Sequence, residues 1–313
     1  MSAVLPTVAV PRASLLAAGA LTFNALVWGV SWWPLRGFEQ IGLHPLWTTM
    51  FVYVLAVAVI VAARPQAVMQ VLRTPALWVL VLAAGTTNAA FNWGVVIGDV
   101  VRVVLLFYLM PLWAVLLARV LLHEPLTRNA AARVALALVG AAIVLWPQGG
   151  PGAQGVVAWE RLPIPRSLPD WLGVLGGFSF ALNNVMLRRE AHRPEEGRAL
   201  AMFFGGGFVA GVLAALLSLN AQVPWPPAPA WGWVAAACVL AVVYLVGNLA
   251  LQYGASRLPA NVTAVVMLTE VLFASLSAWL LGAGSLSAPL LWGGGLIVAA
   301  AALAAFEPAA PAH

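Results

Sequence analysis

Glu270 is the only ionisable side chain in the apolar stretch from Thr263 to Leu281. A carboxyl so placed can bind an ammonium group or exchange a proton. It can equally be a protonated acid tied to a neighbouring helix, and the residue alone does not choose between these. Other polar side chains recur three or four apart, the spacing that puts residues on one helix face. Asn24, Trp28, Ser31 and Trp32 form one such set, and Asn88 and Asn92, with Phe91 beside them, a second. Ser179 and Asn183 (next to Asn184), then Tyr244, Asn248 and Gln252, then Thr263, Met267, Glu270 and Ser277 make three more. Tyr108 precedes Pro111 on a further run. These groups hydrogen-bond and stack; each amide taken singly also reads as a tie between helices.

The residue types exclude other chemistry. His44, His123, His192 and His313 are scattered, and the single Cys238 lies inside an apolar run. No His/Asp pair and no Cys/His metal spacing is present, so no catalytic residue, metal or cofactor is expected. "GPGAQG" at 150–155 fits a dinucleotide-binding pattern but lacks the strand and helix that would give it meaning. No phosphate-binding P-loop occurs, which excludes ATP hydrolysis by this chain.

The solvent of these side chains follows from composition. The chain has 313 residues, 63% hydrophobic and 8% charged, with mean hydropathy +0.96. A soluble domain carries about 25% charged residues, so lipid must cover much of this surface. The net charge of +5 comes wholly from Arg, placed in short gaps between apolar runs. That placement speaks for membrane orientation and against nucleic acid.

A helix needs roughly 20 apolar residues to cross the hydrocarbon. Ten candidates meet or approach this: 15–35, 46–63, 76–97, 103–122, 130–147, 170–187, 199–219, 231–253, 261–282 and 288–306. The first runs too far to be a cleaved signal peptide and reads as a retained span. With the N-terminus inside, eleven Arg fall on inner segments and four (Arg36, Arg102, Arg161, Arg166) on outer ones. Both termini are therefore expected in the cytoplasm. The cluster "RREAHRPEEGR" at 188–198 is expected to be a solvated inner loop.

The chain also repeats itself. Residues 88–127 align without a gap to 248–287 at an offset of 160: Asn88 meets Asn248, Trp93 meets Tyr253, Gly94 meets Gly254 and Thr127 meets Ser287. The expected fold class is an all-α integral membrane protein with ten transmembrane helices in two five-helix repeats. These are 1–147 and 170–313, joined by the Pro/Gly-rich segment 148–169. Five is odd, so the second copy must enter the membrane from the opposite side. Inverted repeats are a device of secondary transporters, whose halves exchange conformations to alternate access.

"LVWGVSWW" (26–33), "YLMPLWAVLLARVLLHEPLT" (108–127) and "MLTEVLFASLSAWLL" (267–281) resemble the drug/metabolite transporter superfamily, in its ten-helix branch with two EamA-type repeats. Within it the chain is most similar to YddG-type exporters of aromatic amino acids. The resemblance implies export of small organic molecules across a bacterial inner membrane. Departures are Gly284, where the family's second repeat often has Glu opposite Glu124, and "TTMFVY" (48–53), where an Arg is common.

Polar side chains facing lipid are costly, so the stripes must point inward. Spans one, three, four, six, eight and nine should then line a cavity. Val134 to Trp146 and Pro289 to Phe306 carry no polar side chain, and "GGG" at 293–295 permits close backbone contact. Spans five and ten are expected outside, as scaffold or as a homodimer face. The expected substrate-binding residues are Asn24, Trp28, Ser31, Trp32, Asn88, Phe91, Asn92, Tyr108, Ser179, Asn183, Tyr244, Asn248, Gln252, Met267 and Glu270, with Pro111 as hinge. Trp, Tyr and Phe with scattered amides suit a partly apolar or zwitterionic small molecule, an aromatic amino acid or a hydrophobic drug. No Arg lies at mid-membrane depth, which speaks against phosphorylated sugars. A lipid flippase is the rival transporter; a sensor would move nothing.

Overall fold

The computed structural model describes residues 12–97, 100–145, 165–282 and 288–305. Among these every regular element is helical: α1 (Arg12–Val30), α2 (Trp32–Gln40), α3 (Pro45–Ala63), α4 (Gln66–Arg73), α5 (Pro75–Ile97), α6 (Val100–Phe107), α7 (Met110–Leu121), α8 (Arg128–Leu145), α9 (Leu168–Arg189), α10 (Glu195–Leu219), α11 (Trp231–Ala255), α12 (Ala260–Met267), α13 (Glu270–Leu280) and α14 (Ala288–Ala305). Most of the expected connecting segment 148–169, with Gly284, Arg161 and Trp146, lies outside the described residues.

Local sequence sets the helix ends. Ser167 and Asp170 form a capping box at the start of α9, with Pro at the first turn. His44 caps α3 by accepting from the Leu46 N–H, and Gly42, at φ +87°, makes the left-handed turn before it. Among the described residues five segments are long and apolar enough to span a bilayer: Ser14–Gln40, Pro45–Ala63, Glu195–Leu219, Trp231–Ala255 and Ala260–Leu280. The chain is thus an all-α, multi-pass membrane protein. The other expected spans map to single helices that are shorter or less uniformly apolar, or to the pair α6–α7. The sequence did not predict α4, which meets α5 at a 97° bend and exposes Met69 and Leu72. That is the geometry of a helix lying along the membrane surface.

Two spans are broken, and in the same way. α6 stops at Phe107 and α7 restarts at Met110; α12 stops at Met267 and α13 restarts at Glu270, 160 residues later. At the first break the Leu109 N–H donates to Leu106 O, and Leu112 and Trp113 both donate to Leu109 O. At the second, Thr269 donates to Val266 O, and Leu272 and Phe273 both donate to Thr269 O. The tightened turn keeps the backbone bonded through the interruption, as it must be in lipid. Pro111, read from sequence as a mid-helix kink, instead occupies the first turn of α7, where a missing N–H costs little. Its counterpart is Val271, so the break forms without proline.

Packing joins early helices to late ones reciprocally. α9 lies against α5, α6 and α7; in exchange α1 lies against α11, α12 and α13. α3 packs on α10, and α8 on α14. Glycines bring backbones into contact at these seams. A Cβ at Gly177 would meet the Phe107 carbonyl, and one at Gly205 the Val81 carbonyl. The small-residue stripe of α14 is used within the chain: a Cβ at Gly140 of α8 would come 2.6 Å from the Gly293 carbonyl oxygen.

Three outcomes are expected from thermal unfolding in detergent. Gly177→Ala destabilises by about 1–3 kcal/mol through forced separation of α9 from α6, while Gly232→Ala, with nothing within 4 Å of the new methyl group, leaves the melting temperature unchanged. Pro111→Ala stays within about 1 kcal/mol of the parent, because the break does not depend on the ring.

Candidate functional site

The middle of the bundle is a chain of aromatic rings crossing from one half to the other. Trp28 of α1 stacks on Tyr244 of α11, centroids 4.7 Å apart. Tyr244 meets Tyr53 of α3 edge-on at 6.3 Å, and Tyr53 packs edge-on against Phe203 of α10. The Tyr53 hydroxyl donates to Asn88 Oδ1 of α5 at 3.3 Å. On the other side Phe91, Phe107, Tyr108 and Phe180 form a second ring cluster joining α5, α9 and the end of α6. Glu270 lies within electrostatic range of both Tyr108 and Tyr244, one from each cluster.

Glu270 reaches this place because the ninth span breaks there. It is the first residue of α13, and α1 presses on that turn at Gly29, where a Cβ would lie 2.7 Å from the Glu270 carbonyl oxygen. Around it Trp32 Nε1 donates to Ser277 Oγ at 2.9 Å, and Asn24 Nδ2 contacts Met267 Sδ at 3.5 Å. Ser31 interrupts α1–α2 by donating to the Trp28 carbonyl at 2.6 Å.

The structure therefore gathers Asn24, Trp28, Ser31, Trp32, Tyr244, Met267 and Glu270 at the α1–α11–α12–α13 seam. Asn88 joins through Tyr53. Phe91 and Tyr108 form the facing wall, and Asn92 Nδ2 donates to Thr49 Oγ1 at 3.3 Å. Asn248 and Gln252 sit differently. Gln252 Nε2 donates to Asn248 Oδ1 at 2.8 Å, and Asn248 Nδ2 turns to Met202 Sδ on α10. Ser179 and Asn183 are buried in α9, and Asn183 Oδ1, Asn24 Oδ1 and both polar atoms of Asn184 have no hydrogen-bond partner.

Sequence reading did not name Tyr53 or Thr49 among the site residues, since "TTMFVY" was noted only for the Arg it lacks. The available signal was "TTMFVY": Thr49 and Tyr53 stand four apart, on one face.

Accessibility divides the bundle along its length. Trp28, Trp32, Asn88, Phe91, Asn92, Phe180, Glu270 and Phe273 keep part of their surface open. Toward the end that holds Arg188 and Arg257, side chains close up: Asn184, Gln252, Thr263 and Met267 are fully buried, as are Leu187 and Leu258. A Cβ at Gly254 would collide with Leu21. The cluster at 188–198 is more than a solvated loop. Arg188 Nη1 donates to Ser256 O at 2.9 Å while its Nε lies 3.8 Å from Glu124 Oε1, Glu190 is buried and paired with Arg189 and Arg193, and Arg198 is 1% exposed.

Among the described residues no group of three or more His, Cys, Asp or Glu side chains could hold a metal. A solved structure is similar to this one in fold, with TM-score 0.73 and 20% sequence identity over 95% of this chain and 97% of the other. No curated protein matches the chain. The family model described as the EamA-like transporter family matches residues 15–146 and again 167–306. Matched by one transporter family model along nearly all of its length, this chain belongs to the EamA-like transporter family, a family of transporters and not of enzymes.

Proposed function

We propose that the chain exports aromatic or similarly apolar amino acids from the bacterial cytoplasm, by alternating access between two inverted five-helix halves, 1–147 and 170–313. The observation that carries the substrate class is the stacked Trp28–Tyr244 pair with Glu270 in electrostatic range of it. An aromatic side chain is bound by offset stacking on such rings. A zwitterion's ammonium group finds a carboxyl in Glu270, and its carboxylate finds amide donors at Asn88 and Asn92. The double match to one family model, the equivalent helix breaks and the reciprocal packing support the two-half reading.

In this reading the Arg-rich end is cytoplasmic, and the conformation described is closed inside and partly open outside. The breaks at 108–109 and 268–269 are the hinges, with Pro111 and its counterpart Val271 beginning the inner and outer lever arms. Asn24, Met267, Asn183 and Ser179 are the groups uncovered when the inner half opens. Asn248 and Gln252 tie α11 to α10 and move with it. The exposed parts of α14, including the open Gly295, are a candidate face for a second copy.

One observation favours a second reading. An apolar groove of about 330 Å³ lies between α5, α9 and α10, lined by Ala89, Ala90, Trp93, Leu172, Phe208 and Val212, and would accept an acyl chain. A flippase would use it.

Counterflow in proteoliposomes separates the readings: labelled tryptophan or phenylalanine exchanges and labelled phospholipid does not. Lipid movement without amino-acid exchange overturns the proposal. Glu270→Gln is expected to lower exchange about ten-fold or more, the loss of one charge-assisted contact. Tyr244→Phe retains exchange within about two-fold, since stacking survives, while Tyr244→Ala loses it by about ten-fold, in line with the roughly 0.5–1.5 kcal/mol of ring pairing plus lost burial. Full activity in both Glu270→Gln and Tyr244→Ala would place the site elsewhere.

A further inference from the structure

At the Arg-rich end a pocket of about 540 Å³ opens between the 190–198 segment and the turn from α11 to α12. It is separate from the aromatic centre. Its walls include His192, Arg193, Glu195, Arg198, Ser256 and Arg257: three guanidinium groups against one carboxylate.

Arg198 is the unusual member. It is 1% exposed, donates from Nη1 to the Leu187 carbonyl at 3.3 Å, and leaves Nε without any partner. Glu195 and Glu190 come within electrostatic range, yet Glu190 is already paired with Arg189 and Arg193, and among the described residues no ion pair closes on Arg198. Glu195 is the strongest charge acting on Arg198, and the next is of the same sign as Arg198 itself. Arg257 lies within electrostatic range, on the far wall, with its guanidinium 3.7 Å above the Tyr253 ring and bonded to Tyr253 O and Ser256 Oγ. A buried guanidinium with an idle donor, facing a second guanidinium, is a costly arrangement unless an anion sits between them. Pro194 and Glu195, at the start of the 25-residue α10, also line the pocket, so the positive end of that helix adds to the same field.

We propose that this pocket binds a phosphate-bearing oxyanion, held by Arg198 and Arg257 with His192 and Arg193 at its mouth. The occupant joins two segments that also meet through the Arg188–Ser256 hydrogen bond. Those segments must separate for the inner side to open, so a bound phosphate locks it shut. The lock rests on the orientation proposed above; the binding site does not. The phosphate comes either from an anionic lipid headgroup or from a soluble phosphate, and the two share one chemistry.

The test uses the full chain purified in detergent and, separately, in nanodiscs. Inorganic phosphate is titrated against chloride at matched ionic strength, and phosphatidylglycerol discs are compared with phosphatidylcholine discs, with the melting temperature as readout. The expected result is stabilisation by at least one phosphate source. Stabilisation by inorganic phosphate identifies a soluble ligand, and stabilisation by phosphatidylglycerol alone identifies a headgroup. In Arg257→Gln, an exposed position that leaves the buried packing intact, the apparent affinity falls about ten-fold or more, the loss of one charge-assisted contact. Arg198→Gln gives the same loss where it folds. No stabilisation by either source, or stabilisation unchanged in Arg257→Gln, overturns the proposal. Phosphate that binds yet fails to slow counterflow from the Arg-rich side refutes the lock while leaving the site standing.

Discussion

In hydrocarbon every peptide group must find its partner inside the protein, and a carboxyl cannot face the lipid. The ninth span meets both demands at one point. Its helix breaks at Leu268–Thr269, the backbone stays bonded by a tighter turn, and the restart delivers Glu270 within electrostatic range of Tyr108 and Tyr244. α1 can follow closely because Gly29 has no side chain to hold it off. The aromatic pair Trp28–Tyr244, the Trp32–Ser277 bond and the Asn24–Met267 contact all depend on that approach.

The fourth span makes the same break and puts Met110 where the ninth has Glu270. A shared backbone device thus carries different side chains at its two occurrences. The fold does not require an acid at this register, since Met110 occupies it in a fully formed span. An insertion cost of about 2.5–3.5 kcal/mol at the membrane centre is then borne by one half alone, which is the ground for connecting Glu270 with ligand or proton and not with helix assembly.

Much of the fold was legible in the sequence, for a reason that also explains what was not. Apolar run length gives the helices, and most predicted boundaries fall within a few residues of the observed ones. The face each helix turns inward is another matter. Lipid and protein interior are both apolar, so hydrophobic periodicity does not mark the buried side; only polar and small residues do. Asn88, Tyr244 and Glu270 were therefore readable, while Tyr53 hid in a span with few polar companions. Asn248 and Gln252 looked like a cavity stripe because spacing shows a shared face and not the neighbour it meets, here Met202. "GGG" at 293–295 announced close packing without saying that Gly140 of the same chain would supply it. The surface helix α4 was missed because eight residues with one apolar side resemble a loop. The buried Arg198 was missed because charge runs normally stay in water.

The most direct measurement is single-cysteine accessibility in a Cys238→Ser background, with a membrane-impermeant thiol reagent applied from each face. Cysteine at position 91 should react from the outer face at rest, and cysteine at position 252 should stay silent until amino-acid exchange is under way and then react from the inner face. Reaction of both positions from one face only, or silence at 252 throughout sustained exchange, would contradict two inverted halves alternating about a shared centre.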